Sequence, residues 1–203
     1  MHRQCFNDKK KTHLYQYPSY GGAESFQSVI NREEFSKILE ESQFEILIRE
    51  YYAAFGLTAV TTISNTTVNR LTKVMLAMEA EGLGVAVIAD EIFQSMRGAF
   101  SRNRAAVIAR TETHNVASFA NHSYHTTLSD NLGINMMKRW CSVADERTRS
   151  FHADANGQTV NMEGDFLVGG APMKYAGDQR GGAKNVINCR CVILYVDEND
   201  VVT

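Results

Sequence analysis

A chain of 203 residues with net charge −2, a pI near 6.3, 44% apolar and 22% charged residues has the composition of an ordinary folded protein, long enough for one large domain or a small domain with an extension. This balance carries no global signature of nucleic-acid or membrane binding. No apolar run nears the roughly 20 residues that cross a bilayer, and two prolines exclude a Pro-rich linker.

The N-terminus, MHRQCFNDKKKTHLYQYPSYGG, lacks the apolar core of a signal peptide. Cys5, Cys141, Cys189 and Cys191 are therefore expected to be thiols in a reducing cytoplasm. Residues 1–25 read as an extended arm with Lys9, Lys10 and Lys11 followed by Tyr15, Tyr17 and Tyr20. A first helix is predicted over 31–55, where Phe35, Ile38, Leu39, Leu47, Ile48, Tyr51 and Tyr52 recur at three and four. A second starts at Ser64 or Asn65 and runs through Met78, and a third spans Val85 to Phe100. Tyr51, Tyr52, Phe55 and Leu57 look like an apolar excess for a partner to bury.

Ser101 is the predicted N-cap of a fourth, long helix. Ile108, Ala109, Val116, Phe119 and Ala120 share one arc of it; Thr111, His114, Ser118, His122 and His125 share the opposite arc, expected to be solvated. Glu112 falls within the apolar arc, where a carboxylate calls for a basic partner. Beyond Gly133, INMMKRWCSV reads as a strand, ADERTRSFHA as a short helix and ANGQTV as a turn into another strand. Residues 163–184 read as a Gly-rich surface loop, and NVINCRC as the start of the last strand. The expected fold class is α+β: a long helical N-terminal region, then a small α+β module with a mainly antiparallel sheet, divided as 1–25, 26–100 and 101–203.

On a strand, Cys189 and Cys191 would share one face and Arg190 the other. Asp145, Arg149 and His152, at i, i+4 and i+7, would share a helical face, with Asp145 pairing to Arg149 and His152 aimed at the cysteines. Three chemistries suit these residues. The leading one is a hydrogen-bonded network of Glu112, Asp145, Arg149, His152 and Arg190 that fastens the long helix to the sheet, with the cysteines as fillers and no cofactor. A second is zinc on His152, Cys189 and Cys191, against which the C-x-C spacing on a flat strand counts. A third is catalysis with Glu112 or His152 as base and Cys189 as nucleophile. Trp140 reads as a core anchor. Lys9, Lys10, Lys11, Arg97, Arg102, Arg104 and Arg110 are candidates for DNA phosphates, since a helix start does not itself favour cations.

Ala109-Arg110-Thr111-Glu112-Thr113, Arg139-Trp140, Asp145, Arg147, Arg149, His152, Asn156-Gly157, Phe166 and Asn188-Cys189-Arg190-Cys191 follow one another over residues 92–196. In this order they resemble the Mu F-like family of phage head morphogenesis proteins, also called minor head or minor capsid proteins. Tyr175-Ala176-Gly177-Asp178 departs from the pattern, in which a proline often precedes the Gly-Asp. The resemblance implies a virion component of the capsid interior or portal vertex, made in the host cytoplasm, acting in procapsid assembly and associated with DNA ejection. Its implied partners are the portal, major capsid or scaffolding protein and packaged double-stranded DNA, with no membrane. The leading expectation is non-enzymatic. The alternative is an enzyme carried in the head, a nuclease or group-transferase using Glu112, His152 and the Cys189/Cys191 pair.

Overall fold

Helix ends follow the polar and glycine punctuation of the sequence. In a computed structural model that describes residues 41–57, 65–96 and 98–197, α1 spans Glu41–Phe55, α2 Asn65–Ala80, α3 Val85–Ser95 and α4 Arg102–Leu132. The arm at 1–25 with its three lysines, residues 31–40 of the first predicted helix, Ser64 and Arg97 lie outside the described residues. Ser101 caps α4 as expected, its side chain accepting from the Arg104 N–H at 3.2 Å. Gly133, at φ 62°, ends it in the left-handed conformation that a side chain would disfavour. α3 stops five residues short of its predicted end, where Met96 leaves the helical conformation and Gly98 follows at φ 84°. Among the described residues no helix is long and apolar enough to cross a membrane.

The four helices share one core built on Ile48, Tyr51, Leu71, Met75, Ile88, Ile92 and Ile108. Tyr51, Tyr52 and Leu57 are buried within this core, so the chain itself covers most of the apolar surface assigned to a partner. Phe55 stays partly exposed while its ring touches Tyr51 and Phe119. Glu79 is buried here too. Tyr52 donates to its two carboxylate oxygens at 3.1 and 3.3 Å. Burial pushes the Glu79 carboxyl up to about 7, against hydrogen bonds from Tyr52 and Thr113, and the nearby Glu112 adds to the rise.

The second half is the expected α+β module. β1 (Met136–Cys141) is the central strand of an antiparallel sheet ordered β2-β1-β5, with β2 at Thr159–Asn161 and β5 at Val192–Asp197. Lys138 pairs with Val160 on one side, and Trp140 with Ile193 on the other. A hairpin of β3 (Phe166–Val168) and β4 (Ala171–Met173) packs beside it. The stretch 163–184 is thus not a surface loop. Phe166, Val168, Met173, Tyr175 and Ala176 join Trp140 in a second core. The Asp178 carboxylate organises the segment, accepting from the N–H groups of Lys174 and Arg180 and from the Arg180 guanidinium, which also pairs with Asp165.

Two further expectations are corrected. The short helix α5 is Ser150–Asp154 rather than 144–153, because the Asp145 side chain takes the Arg147 N–H and the Thr148 hydroxyl and holds the preceding residues in a turn. The last strand begins only at Val192. Ala183–Val186 is a helical turn, α6, and Asn188 follows at φ 55°, a left-handed conformation that asparagine tolerates.

The polar arc of α4 is not solvated either, because the module docks onto it. Thr111 and Asn115 are fully buried, and Thr111 Oγ1 accepts from the Asn188 N–H at 3.1 Å. His125 stacks on Tyr195 with centroids 4.1 Å apart, and His122 lies against Tyr175 and Tyr195. Gln179 Nε2 donates to the Tyr51 hydroxyl at 2.6 Å, tying the module to α1. Gly177, at φ 89°, crosses α4 so closely that a Cβ would sit 2.4 Å from Asn115 Oδ1.

Gly177→Ala therefore meets both a disfavoured backbone angle and a buried side chain. A loss of about 2 kcal/mol or more is expected in denaturant melts, whereas an unchanged melt would contradict the close crossing. Glu79 holds its proton more tightly folded than unfolded, so its linked stability is present at low pH and is lost as pH rises from its ordinary value of 4.5 through about 7. His122, pushed down to about 4 by burial, works in the opposite sense from about 4 to 6.5. The Glu79 contribution is thus read as a difference: Glu79→Gln gains on the wild type by on the order of 3 kcal/mol between pH 5 and pH 8. Parallel pH profiles for the two proteins would refute this.

Candidate functional site

The short helix α5 and the turn at Asn188 bring together three buried groups that lie up to 39 positions apart in the chain. His152 sits in the last turn of α5. Its Nδ1 is 3.2 Å from Cys191 Sγ and 3.8 Å from Cys189 Sγ. The three side chains offer ligating atoms that all lie within 4.8 Å of one another. Each residue is at most 5% exposed. The expected alternation survives the loss of the strand: both cysteines point inward, and Arg190 points out to Asp145 with contacts of 2.6 and 2.7 Å.

The walls of the cluster are partly polar. Trp140 packs edge-on against His152 and Phe166, fully buried as a core anchor should be. Trp140 and the Val143 backbone only partly offset the rise of the Cys191 thiol, and the Trp140 Nε1 is itself buried without a hydrogen bond. From α4, His114 helps to pull the Cys189 thiol down. The Cys191 S–H bond to Cys189 pulls the Cys189 thiol down. That same bond, together with burial, pushes the Cys191 thiol up, the opposite direction to its neighbour. The Nε2 atoms of His114 and His152 are buried without a hydrogen bond of regular geometry. Such an atom costs about 1–3 kcal/mol when nothing else satisfies it.

The other site candidates are dispersed. Asp145 pairs with Arg190, which holds its carboxyl well below the usual range, and not with Arg149. The reason is the Asp145 turn, which removes the helical spacing that would have aligned the two. Arg149 instead donates to the Ile187 carbonyl and fastens α5 to the segment before the cysteines. Glu112 turns to the helical core, where Tyr52 and Glu79 feel its charge, and it is not one of the cluster's ligating groups. Arg102 pairs with Asp90 at 3.0 Å and lies over Phe93; Arg104 lies over Phe100, and Arg110 is exposed.

A cleft lined by Arg147, Arg149 and Arg190 connects solvent with His152 and Cys191. Chemically, a buried Cys–Cys–His group can bind a soft or borderline metal, or present a thiolate. Sequence reasoning identified His152 and both cysteines but missed His114 as their neighbour. Its only signal was its place on the arc of α4 shared with Thr111, and no local pattern links residue 114 to residue 189.

The family described as "Phage Mu protein F like protein" matches residues 68–194, from α2 into β5 and so further toward the N-terminus than the motifs alone. The minor head protein GP7 of Bacillus phage SPP1 is 30% identical over 121 residues, 59% of this chain and 38% of that protein. The NAD(+)–arginine ADP-ribosyltransferase EFV of Enterococcus faecalis is 30% identical over 116 residues, 57% of this chain and 23% of that protein. The chain thus spans less than half the length of either relative. No solved structure matches at a significant level. The family match covers more than half of the chain, including the long helix, the sheet and the cysteine–histidine cluster: this protein belongs to the phage Mu protein F-like family.

Proposed function

We propose that the protein is a phage minor head protein, a virion component that acts in head assembly at the portal vertex or inside the capsid. The observation that carries this reading is the family match across 68–194, the unit in which helices and module are joined, together with the likeness to a protein named as a minor head protein. The fold supports a docking role. Among the described residues β5 is an edge strand, and Val192 and Leu194 on its outward face are 45% and 41% exposed. An exposed apolar edge of this kind suits pairing with another protein chain. On this reading the portal, scaffolding or major capsid protein covers such surfaces, and Arg104, Arg110 and the N-terminal lysines meet packaged DNA.

A head-carried enzyme is the second reading, favoured by the 3.2 Å contact between His152 and Cys191. Against it stand the burial of both sulfurs and the turn of Glu112 into the helical core.

Co-expression with the portal, scaffolding and major capsid proteins of the same phage tests the head reading. The protein is expected to co-purify with procapsids, and Val192→Asp with Leu194→Asp to reduce its incorporation severalfold while its own melt stays intact. Absence from both procapsids and mature particles would refute the proposal. An activity lost in Cys189→Ser, with particle assembly unaffected, would favour the enzyme.

A further inference from the structure

We infer that His152, Cys189 and Cys191 form a three-ligand zinc site whose remaining coordination position opens to the cleft. Geometry is the first argument. The ligating atoms of these side chains all lie within 4.8 Å of one another, and theirs is the one such group among the described residues. Bond lengths of about 2.3 Å to sulfur and about 2.0 Å to nitrogen in a tetrahedron put nitrogen and sulfur ligands roughly 3.5 Å apart. His152 Nδ1 lies 3.2 Å from Cys191 Sγ and 3.8 Å from Cys189 Sγ, so each contact changes by about 0.3 Å to take the metal.

Charge is the second argument. All three side chains are buried, and an ionised sulfur is costly to bury unless it is paired or bound to a metal. Two thiolates and a divalent cation sum to zero, and imidazole ligates in its neutral form, so the loaded site brings no net charge into the core. Two sulfurs and one imidazole, with no carboxylate in the group, are donors that suit zinc and not magnesium or calcium. The third argument is the backbone. Cys189 and Cys191 follow the left-handed turn at Asn188 and precede β5, so no flat strand holds the two sulfurs parallel. Their segment is tied to that of His152 twice, by Arg149 donating to the Ile187 carbonyl and by Arg190 pairing with Asp145. Ligands held in this way are in place before the metal arrives. His152 and Cys191 line the cleft, which gives the ion a path in and gives solvent the fourth position. Zinc takes this arrangement, three protein ligands and one exchangeable position, where a water or a substrate completes the tetrahedron. The assignment stands independently of both functional readings above.

The test uses the full 203-residue chain, purified under reducing conditions, stripped with chelator and titrated with Zn2+ or Co2+. One metal per chain is expected, with a tetrahedral Co2+ spectrum that shows thiolate charge transfer. Cys189→Ser and Cys191→Ser should each lose roughly half of the charge-transfer intensity, one thiolate of two. His152→Asn should keep the charge transfer and weaken Zn2+ binding more than about tenfold, the least that losing even an outer partner of a ligand costs. Azide added to the Co2+ form is expected to shift its visible bands by taking the open position. If a variant is insoluble, the wild-type titration still decides. Failure to bind a stoichiometric metal would overturn the site, as would wild-type affinity and spectrum in His152→Asn. A Co2+ spectrum that azide leaves unmoved would overturn the open position.

Discussion

The rest of the structure depends on α4 being buried on two faces at once. A helix of 31 residues in a small protein would ordinarily present one stripe to a core and the other to water. Here Ile108, Ala109 and Val116 enter the helical core, while Thr111, Asn115, His122 and His125 meet the module. Burying polar side chains is costly unless each is answered. The module answers with the Asn188 amide, with the rings of Tyr175 and Tyr195, and with a glycine where nothing larger fits. That is why the two halves form one fold although they have separate apolar cores.

The same constraint places ionisable groups on both sides of the helix. On the bundle side Glu79, Tyr52 and Glu112 gather around a carboxyl that burial drives toward its protonated form. On the module side the Cys189 and Cys191 thiols are pushed in opposite directions beside His152, whose Nε2, like that of His114, is buried without a partner. The first cluster is relieved by a proton. In both cases the helix brings together groups that water would otherwise separate.

The loop Tyr175-Ala176-Gly177-Asp178 lacks a proline before the Gly-Asp, yet it is among the best-supported parts of the module. Ala176 is fully buried, and Asp178 gathers two backbone N–H groups and a guanidinium. Shape that a proline would impose through its ring is here imposed through hydrogen bonds.

Much of the fold was legible in the sequence because it rests on near-neighbour chemistry. Ser101 and Gly133 bound α4, the apolar arc of α4 is set by a period of 3.6, and β1 and β5 follow from their runs of strand-forming residues. The motif order from Ala109 to Cys191 was enough to place the chain in its family. Tertiary structure alone decided the remainder. It turned the polar arc of α4 inward, folded the glycine-rich stretch into a core, gave Asp145 to Arg190 instead of Arg149, and set His114 beside Cys189. Each of these joins residues far apart in the chain, through a turn at Asp145 or Asn188 or a crossing at Gly177. Such geometry depends on which surfaces meet, and local propensity carries no record of that.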